Sequence, residues 1–203
     1  DLDAITSDGG QAEGLGDAGI DYLNIVGSDG KDIAADVVIS DDQASALSVA
    51  GLSFGHGGDG HVADDITVGV QLADGTHLST SLKDLQKLGV NSVLLTGDDS
   101  LTVDLGTDGI NDGLLSGGGL PSFEAGSDTN HDGTIDGSDL TVTLNLTDSD
   151  LDAITKDGGQ AEGLGDAGVD YLNIVGSDGK DIAADIVISD DQASALSVAG
   201  LSF

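Results

Sequence analysis

Residues 1–54 return almost unchanged at 150–203. Only Ser7/Lys156, Ile20/Val169 and Val37/Ile186 differ among these 54 positions. Residue 1 corresponds to residue 150, so the period is 149 residues. Such a copy constrains the fold more than composition does. Long periods with near-identical copies mean an array of domains or a coarse solenoid. Both copies run to the ends of the chain, which thus holds about one and a third periods of a tandem array.

A fainter repeat lies inside the first. "LQKLGVNSVLLTGDDSLTVDLG" (85–106) lines up with "LGDAGIDYLNIVGSDGKDIAADVVIS" (15–40). Gly89, Val90, Val93, Leu95 and Gly97 fall on Gly19, Ile20, Leu23, Ile25 and Gly27. "DDITVGVQL" (64–72) likewise matches "SDLTVTLNL" (138–146). Each period therefore reads as two related half-units of about 70–80 residues. The expected boundaries are 1–54 as the C-terminal part of one repeat unit and 55–138 as the first half-unit of the next, with its calcium junction loops. Residues 139–203 form the second half-unit, of which 150–203 repeats 1–54.

Apolar periodicity supplies the elements. Ile66, Val68, Val70 and Leu72 alternate, as do Leu140, Val142, Leu144 and Leu146, the period of a half-buried strand. Leu82, Leu85 and Leu88 have helical spacing, with Gly89 as a C-cap. "VNSVLLTG" and "SLTVDLG" read as two strands joined by a "GDD" turn. "SDDQASALSVAG" (40–51) reads as a helix with Ser40 or Asp41 as N-cap and Gly51 as stop. The order predicts an α+β or α/β repeat module built from two related half-units. The alternative is a set of all-β sandwich repeats, in which the helical patterns are loops.

Charge narrows the partners. There are 38 Asp plus Glu against 5 Lys and no Arg, a formal net charge of −33. Such a chain repels nucleic acid and anionic membranes, and its self-repulsion opposes the compact state. Bound divalent cations would relieve that repulsion. Leu, Ile, Val and Phe still make up 56 of the 203 residues, above the roughly 20 % level below which disorder is the default. The chain is therefore expected to fold, conditionally on cations.

No apolar run reaches the roughly 18 residues of a membrane span, so direct membrane insertion is not expected. No signal peptide is visible, and there is no Cys. With no Met even at position 1, the chain reads as a segment of something longer, and the missing signal says nothing about export.

"SDTNHDGTIDGSD" (127–139) gathers oxygen side chains on a dozen residues. Read as a twelve-residue loop, Asp128, Asn130, Asp132, Thr134, Asp136 and Asp139 fall at positions 1, 3, 5, 7, 9 and 12. Gly133 takes the sharp turn at position 6, and Ile135 is the apolar anchor at position 8. Ca²⁺ takes six to eight hard oxygens, and alternate residues of a tight loop converge on one point. Thr134 would give its backbone carbonyl. The bland alternative is a polar turn.

The loop resembles that of EF-hands, and more closely that of dockerin modules, over about thirteen residues. Asp139 stands where a Glu is usual, and an alternating strand follows where a helix would.

The matching junction "GHGGDGHVADD" (55–65) resembles a scrap of the Gly- and Asp-rich nonapeptides of RTX proteins. It holds Asp59, Asp64 and Asp65, and either a weak Ca²⁺ site or a plain loop fits it. His56 and His61 lack a third soft ligand, so a transition metal is disfavoured. Asp29, Asp32, Asp178 and Asp181, with "TGDDS" (96–100) and "GTDGINDG" (106–113), read first as Asp-Gly turn chemistry.

Catalysis finds little support. Carboxylates are everywhere, aromatics make up 2 % of the chain, and no nucleophile elbow or His partner stands out. The repeated units look like internal repeats of very large secreted bacterial surface proteins, the RTX-type adhesins and biofilm-associated proteins. That resemblance implies an extracellular or cell-surface location and Ca²⁺ as a structural ligand. It also implies a spacer or adhesive role, with neighbouring repeats and a surface glycan or another cell as partners. The other readings are a surface-layer or matrix lattice protein and a secreted carbohydrate-active enzyme segment.

Overall fold

A computed structural model describes residues 2–7, 10–26, 30, 37–54, 66–71, 77–97, 99–105, 120–156, 159–180, 182 and 186–203. Helices and parallel strands alternate along it. The first copy holds α1 (Leu2–Thr6), α2 (Gly10–Asp17), β1 (Tyr22–Leu23), β2 (Val37–Ser40), α3 (Asp41–Val49) and β3 (Ser53–Phe54). The middle holds β4 (Ile66–Gln71), α4 (Leu82–Leu88), β5 (Ser92–Thr96), β6 (Ser100–Asp104), β7 (Ser122–Ala125) and β8 (Thr141–Leu146). Then come α5 (Asp148–Lys156), α6 (Gly159–Asp166), β9 (Tyr171–Ile174) and α7 (Asp190–Val198).

The expected helices form for the expected reasons. In α4, Leu82, Leu85 and Leu88 are all buried. The Ser81 hydroxyl accepts from the Asp84 amide, and Gly89 closes the helix at φ 84°, where a Cβ would be strained. In α3, Ser40 and Gln43 form a reciprocal capping box. The all-β alternative is therefore overturned: its "loops" are capped helices whose apolar faces join the core.

Among the described residues every strand pair is parallel. One sheet runs β2-β4-β5-β7 and another β6-β8-β9, with β1 and β3 paired apart. Parallel neighbours need a crossover; helices supply it from β2 to β4, β4 to β5 and β8 to β9, whereas β5 reaches β7 by way of β6, and β6 reaches β8 by way of β7. β5 and β6 follow one another across a short turn yet join different sheets. The chain turns a corner there instead of making a hairpin. Within each of these two sheets the strands lie in sequence order, so every strand is laid beside its predecessor. Both sheets and the helices share one apolar core.

A polar row crosses the three-stranded sheet. Asp104, Asn145 and Asn173 are register partners. The Asn145 amide donates to Asp104 and the Asn173 amide to Asn145, both at 2.9 Å. His77 lies 3.4 Å from the same Asp104 carboxylate.

The two copies have nearly one sequence; Leu47 and Leu196, Ala12 and Ala161, and Leu52 and Leu201 are buried in both, but other equivalent positions differ in exposure. Ile39, Ala44 and Leu47 are buried in the first copy, while Ile188 is half-buried and Ala193 exposed in the second. Leu151, Ile154 and Leu164 are buried in the second copy, while Leu2, Ile5 and Leu15 are half-buried in the first. Strand assignment follows the cover. Residues 37–40 pair with β4 as a strand, whereas 186–189 are not in a strand. Pairing, more than local sequence, makes a strand here.

Close approach demands two glycines. A Cβ on Gly16 would collide with the Ala50 carbonyl, and one on Gly165 with that of Ala199. Gly→Ala inside a helix ordinarily stabilises by about 1 kcal/mol. Here the sign reverses: Gly165→Ala is expected to cost about 1–3 kcal/mol by overpacking against rigid backbone. Urea melts check it, and a stabilised variant would refute the contact.

Candidate metal centre

The 128–139 loop joins β7 to β8 and sits at the corner where the chain passes between sheets. Its two flanks are tied to residues that lie between β5 and β6. The Gly97 amide donates to the Ser127 hydroxyl at 3.0 Å, and the Thr141 amide to the Asp99 carbonyl at 2.8 Å.

The winding comes from the loop's own amides. The Asp128 carboxylate accepts from Asp132 N at 3.2 Å and from Gly133 N at 3.0 Å. Asn130 Oδ1 accepts from Asp132 N at 2.9 Å. Asp132 Oδ1 accepts from Thr134 N at 2.9 Å and from its hydroxyl at 2.6 Å. Gly133, at φ 94°, makes the sharp turn that lets these amides point inward. His131, beside it, is also left-handed at φ 63°.

Asp139 closes the loop. It is buried, with 1 % of its surface exposed. Its Oδ1 accepts from Thr129 N at 2.8 Å and Asn130 N at 3.0 Å, and its Oδ2 from Asp136 N at 3.0 Å. Asp136 in turn caps a short 3₁₀ turn, Gly137–Asp139, through the Ser138 amide. The structure thus groups Asp128, Asn130 and Asp132 around the amides of 132–134, and sets Asp136 and Asp139 together at the loop's end. Thr134, Asn130, Asp132 and Asp136 are exposed.

Among the described residues, no three His, Asp or Glu side chains converge closely enough to hold a metal ion. The donor set nonetheless suits a hard cation: every candidate atom is oxygen, and no Lys lies in the loop. Hydrogen bonds from Thr134 hold the Asp132 carboxyl below its ordinary range. The Asn130 and Asp136 amides do the same for Asp139, against the opposing effect of burial. Both are in the ionised form that Ca²⁺ takes.

Those amides also set an acid dependence. The folded chain binds the Asp139 proton more weakly than the unfolded chain does. The resulting stability is fully present above the unfolded value, near 3.8, and is lost as pH falls through the lower folded value. Asp139→Asn is expected to remove part of the acid slope of the unfolding midpoint. An unchanged slope would show that the staple contributes nothing.

Sequence reading missed Thr129, whose amide and hydroxyl both reach Asp139. No spacing rule singles it out. The polar row was signalled faintly, by Asn145 and Asn173 interrupting apolar strands. The 55–65 junction with His56 and His61, Asp29, Asp32, Asp181 and the 106–113 cluster lie outside the described residues. Asp178 pairs with Lys180 at 3.4 Å, and the Asp99 backbone carbonyl serves the β8 contact above. No described helix is long and apolar enough to cross a membrane.

Compared with known proteins, the chain matches no family model, no curated sequence and no solved structure.

Proposed function

We propose that the chain is a calcium-stabilised tandem repeat of an extracellular adhesin, acting as spacer or adhesive module at a bacterial cell surface or in a biofilm. The observation that supports this best is the 128–139 loop. Its candidate ligand atoms are all oxygens, its Asp132 and Asp139 carboxyls are held below their ordinary range, and it lies at the corner between two sheets in a chain that repeats itself. A cation there neutralises charge where a chain of net −33 needs it. Its partners are then Ca²⁺, the neighbouring repeats and, at an adhesive tip, a surface glycan or another cell. The role is non-catalytic: an array gains reach and avidity by copying, while an enzyme needs one good site.

Small-angle scattering with and without Ca²⁺ tests this reading. The maximum dimension is expected to be well defined with the ion and broadened in chelator, while circular dichroism keeps most of its helix signal. A particle indifferent to Ca²⁺, or glycan hydrolysis lost on mutating one carboxylate pair, would sink it.

A further inference from the structure

We propose that the face built from residues 186–203 is a docking surface for another repeat of the same kind. Its occupant is a strand–helix unit with the sequence of residues 66–88.

One sequence occurs in two settings. In the first copy, β2 pairs with β4 in the register Val37↔Ile66 to Ser40↔Gly69. Helix α3 packs on α4, and Ala44 and Leu47 are sealed at 0 % exposure. Asp41 clamps the segment that leads into α4. Its Oδ2 accepts from Ser79 N at 2.8 Å and Ser79 Oγ at 2.6 Å; its Oδ1 accepts from Thr80 Oγ1 at 2.9 Å.

In the second copy, the helix cap and its tie to an earlier helix are retained. Ser189 and Gln192 form the same capping box. Gln192 donates to Asp152 as Gln43 does to Asp3. Leu196, the copy of Leu47, stays buried; what differs is the cover over Ile188, Asp190 and Ala193. Asp190, the copy of Asp41, is exposed, and so is Ala193, the copy of Ala44. A groove of about 310 Å³ opens, lined by Ile188, Ala193, Leu196, Gly200, Leu201 and Phe203. It is the counterpart of the ground that α4 closes in the first copy. Residues 186–189 run beside it outside any strand, with the sequence that pairs as β2.

Charge agrees with this occupant. Helix α4 carries Lys83 and Lys87, two of the chain's five Lys; Lys87 also pairs with Asp84 of its own helix at 3.4 Å, and the helix would meet one that starts with Asp190 and Asp191. Recognition is then threefold: a parallel strand edge, an apolar groove, and a carboxylate that selects a Ser-Thr pair. A single slipped residue would set that carboxylate against the wrong partners. Successive repeats would share one continuous sheet instead of hanging as separate beads.

The test extends the full chain after Phe203 with a copy of residues 55–105 and follows native-state amide exchange. While Ser189, whose amide already donates to Gln192, stays as it is, exchange at the amides of 186–188 that face the added strand is expected to slow by at least about tenfold, toward the rates of their β2 counterparts. Ala193→Glu is expected to return it to the fast rate in the extended chain, while leaving the melt of the 203-residue chain unchanged, because Ala193 is exposed there. Fast exchange persisting in the extended chain, or slow exchange indifferent to Ala193→Glu, overturns the proposal. The docking needs no cation. Runs in Ca²⁺ and in chelator therefore separate its failure from a failure of the calcium reading.

Discussion

Stripping Ca²⁺ with EDTA is expected to lower the melting temperature by about 5–10 °C for the 128–139 loop alone. A ligand that binds only the native state adds roughly 2.7 kcal/mol at a hundredfold excess over its Kd. A chain of this size converts each kcal/mol into about 2–4 °C. Asp132→Ala is expected to abolish that shift and remove one binding event in calorimetry. It leaves the metal-free melt nearly as it was, because Asp132 is exposed and bonded only within the loop. A melt unchanged by EDTA, or a mutant with full stoichiometry, would remove the loop from the account.

The second large effect compares identical residues. Leu164→Ala deletes a side chain with 0 % exposure and is expected to cost about 2–5 kcal/mol. Leu15→Ala, at the same place in the first copy, deletes a half-buried one and is expected to cost under about 1.5 kcal/mol. Denaturant titrations of the two variants read the difference directly. Equal costs would mean that the copies sit in equal surroundings, against the burial described above.

The parts of the fold legible in the sequence were those whose signals are local. Leu82, Leu85 and Leu88 with Gly89 specify α4 without help, and the alternation of β8 specifies a half-buried strand. The α/β class follows from their order. Helices α1, α2, α5 and α6 were not legible. "GQAEGLGD" carries three glycines in eight residues, a poor helix by propensity. It is helical because Ala161 and Leu164 find a core. The sheet partners of β5 and β6 were also hidden, since a short turn between strands suits a hairpin as well as a corner.

The metal loop was readable as a spacing of oxygens. Which of those oxygens hold the backbone was not readable, because Thr129, Asn130 and Asp136 reach Asp139 only after the loop has wound. The contrast between the copies lies furthest from the sequence: with 51 of 54 residues shared, only the neighbours distinguish them.

Strand order has a mechanical consequence. In both larger sheets the strands follow sequence order, although the chain visits the other sheet between β5 and β7 and between β6 and β8, so among the described residues only the edge strands β2, β7, β6 and β9 lack a strand neighbour on one side. Tension applied to the two termini would first reach the terminal helices α1 and α7, and then the edge strand behind them, peeling it from its neighbour. The next strand would then take the load. Arrays whose units contact only their neighbours come apart unit by unit. In the spacer role proposed above, yielding of this kind from repeat to repeat would spread a sudden pull along the array.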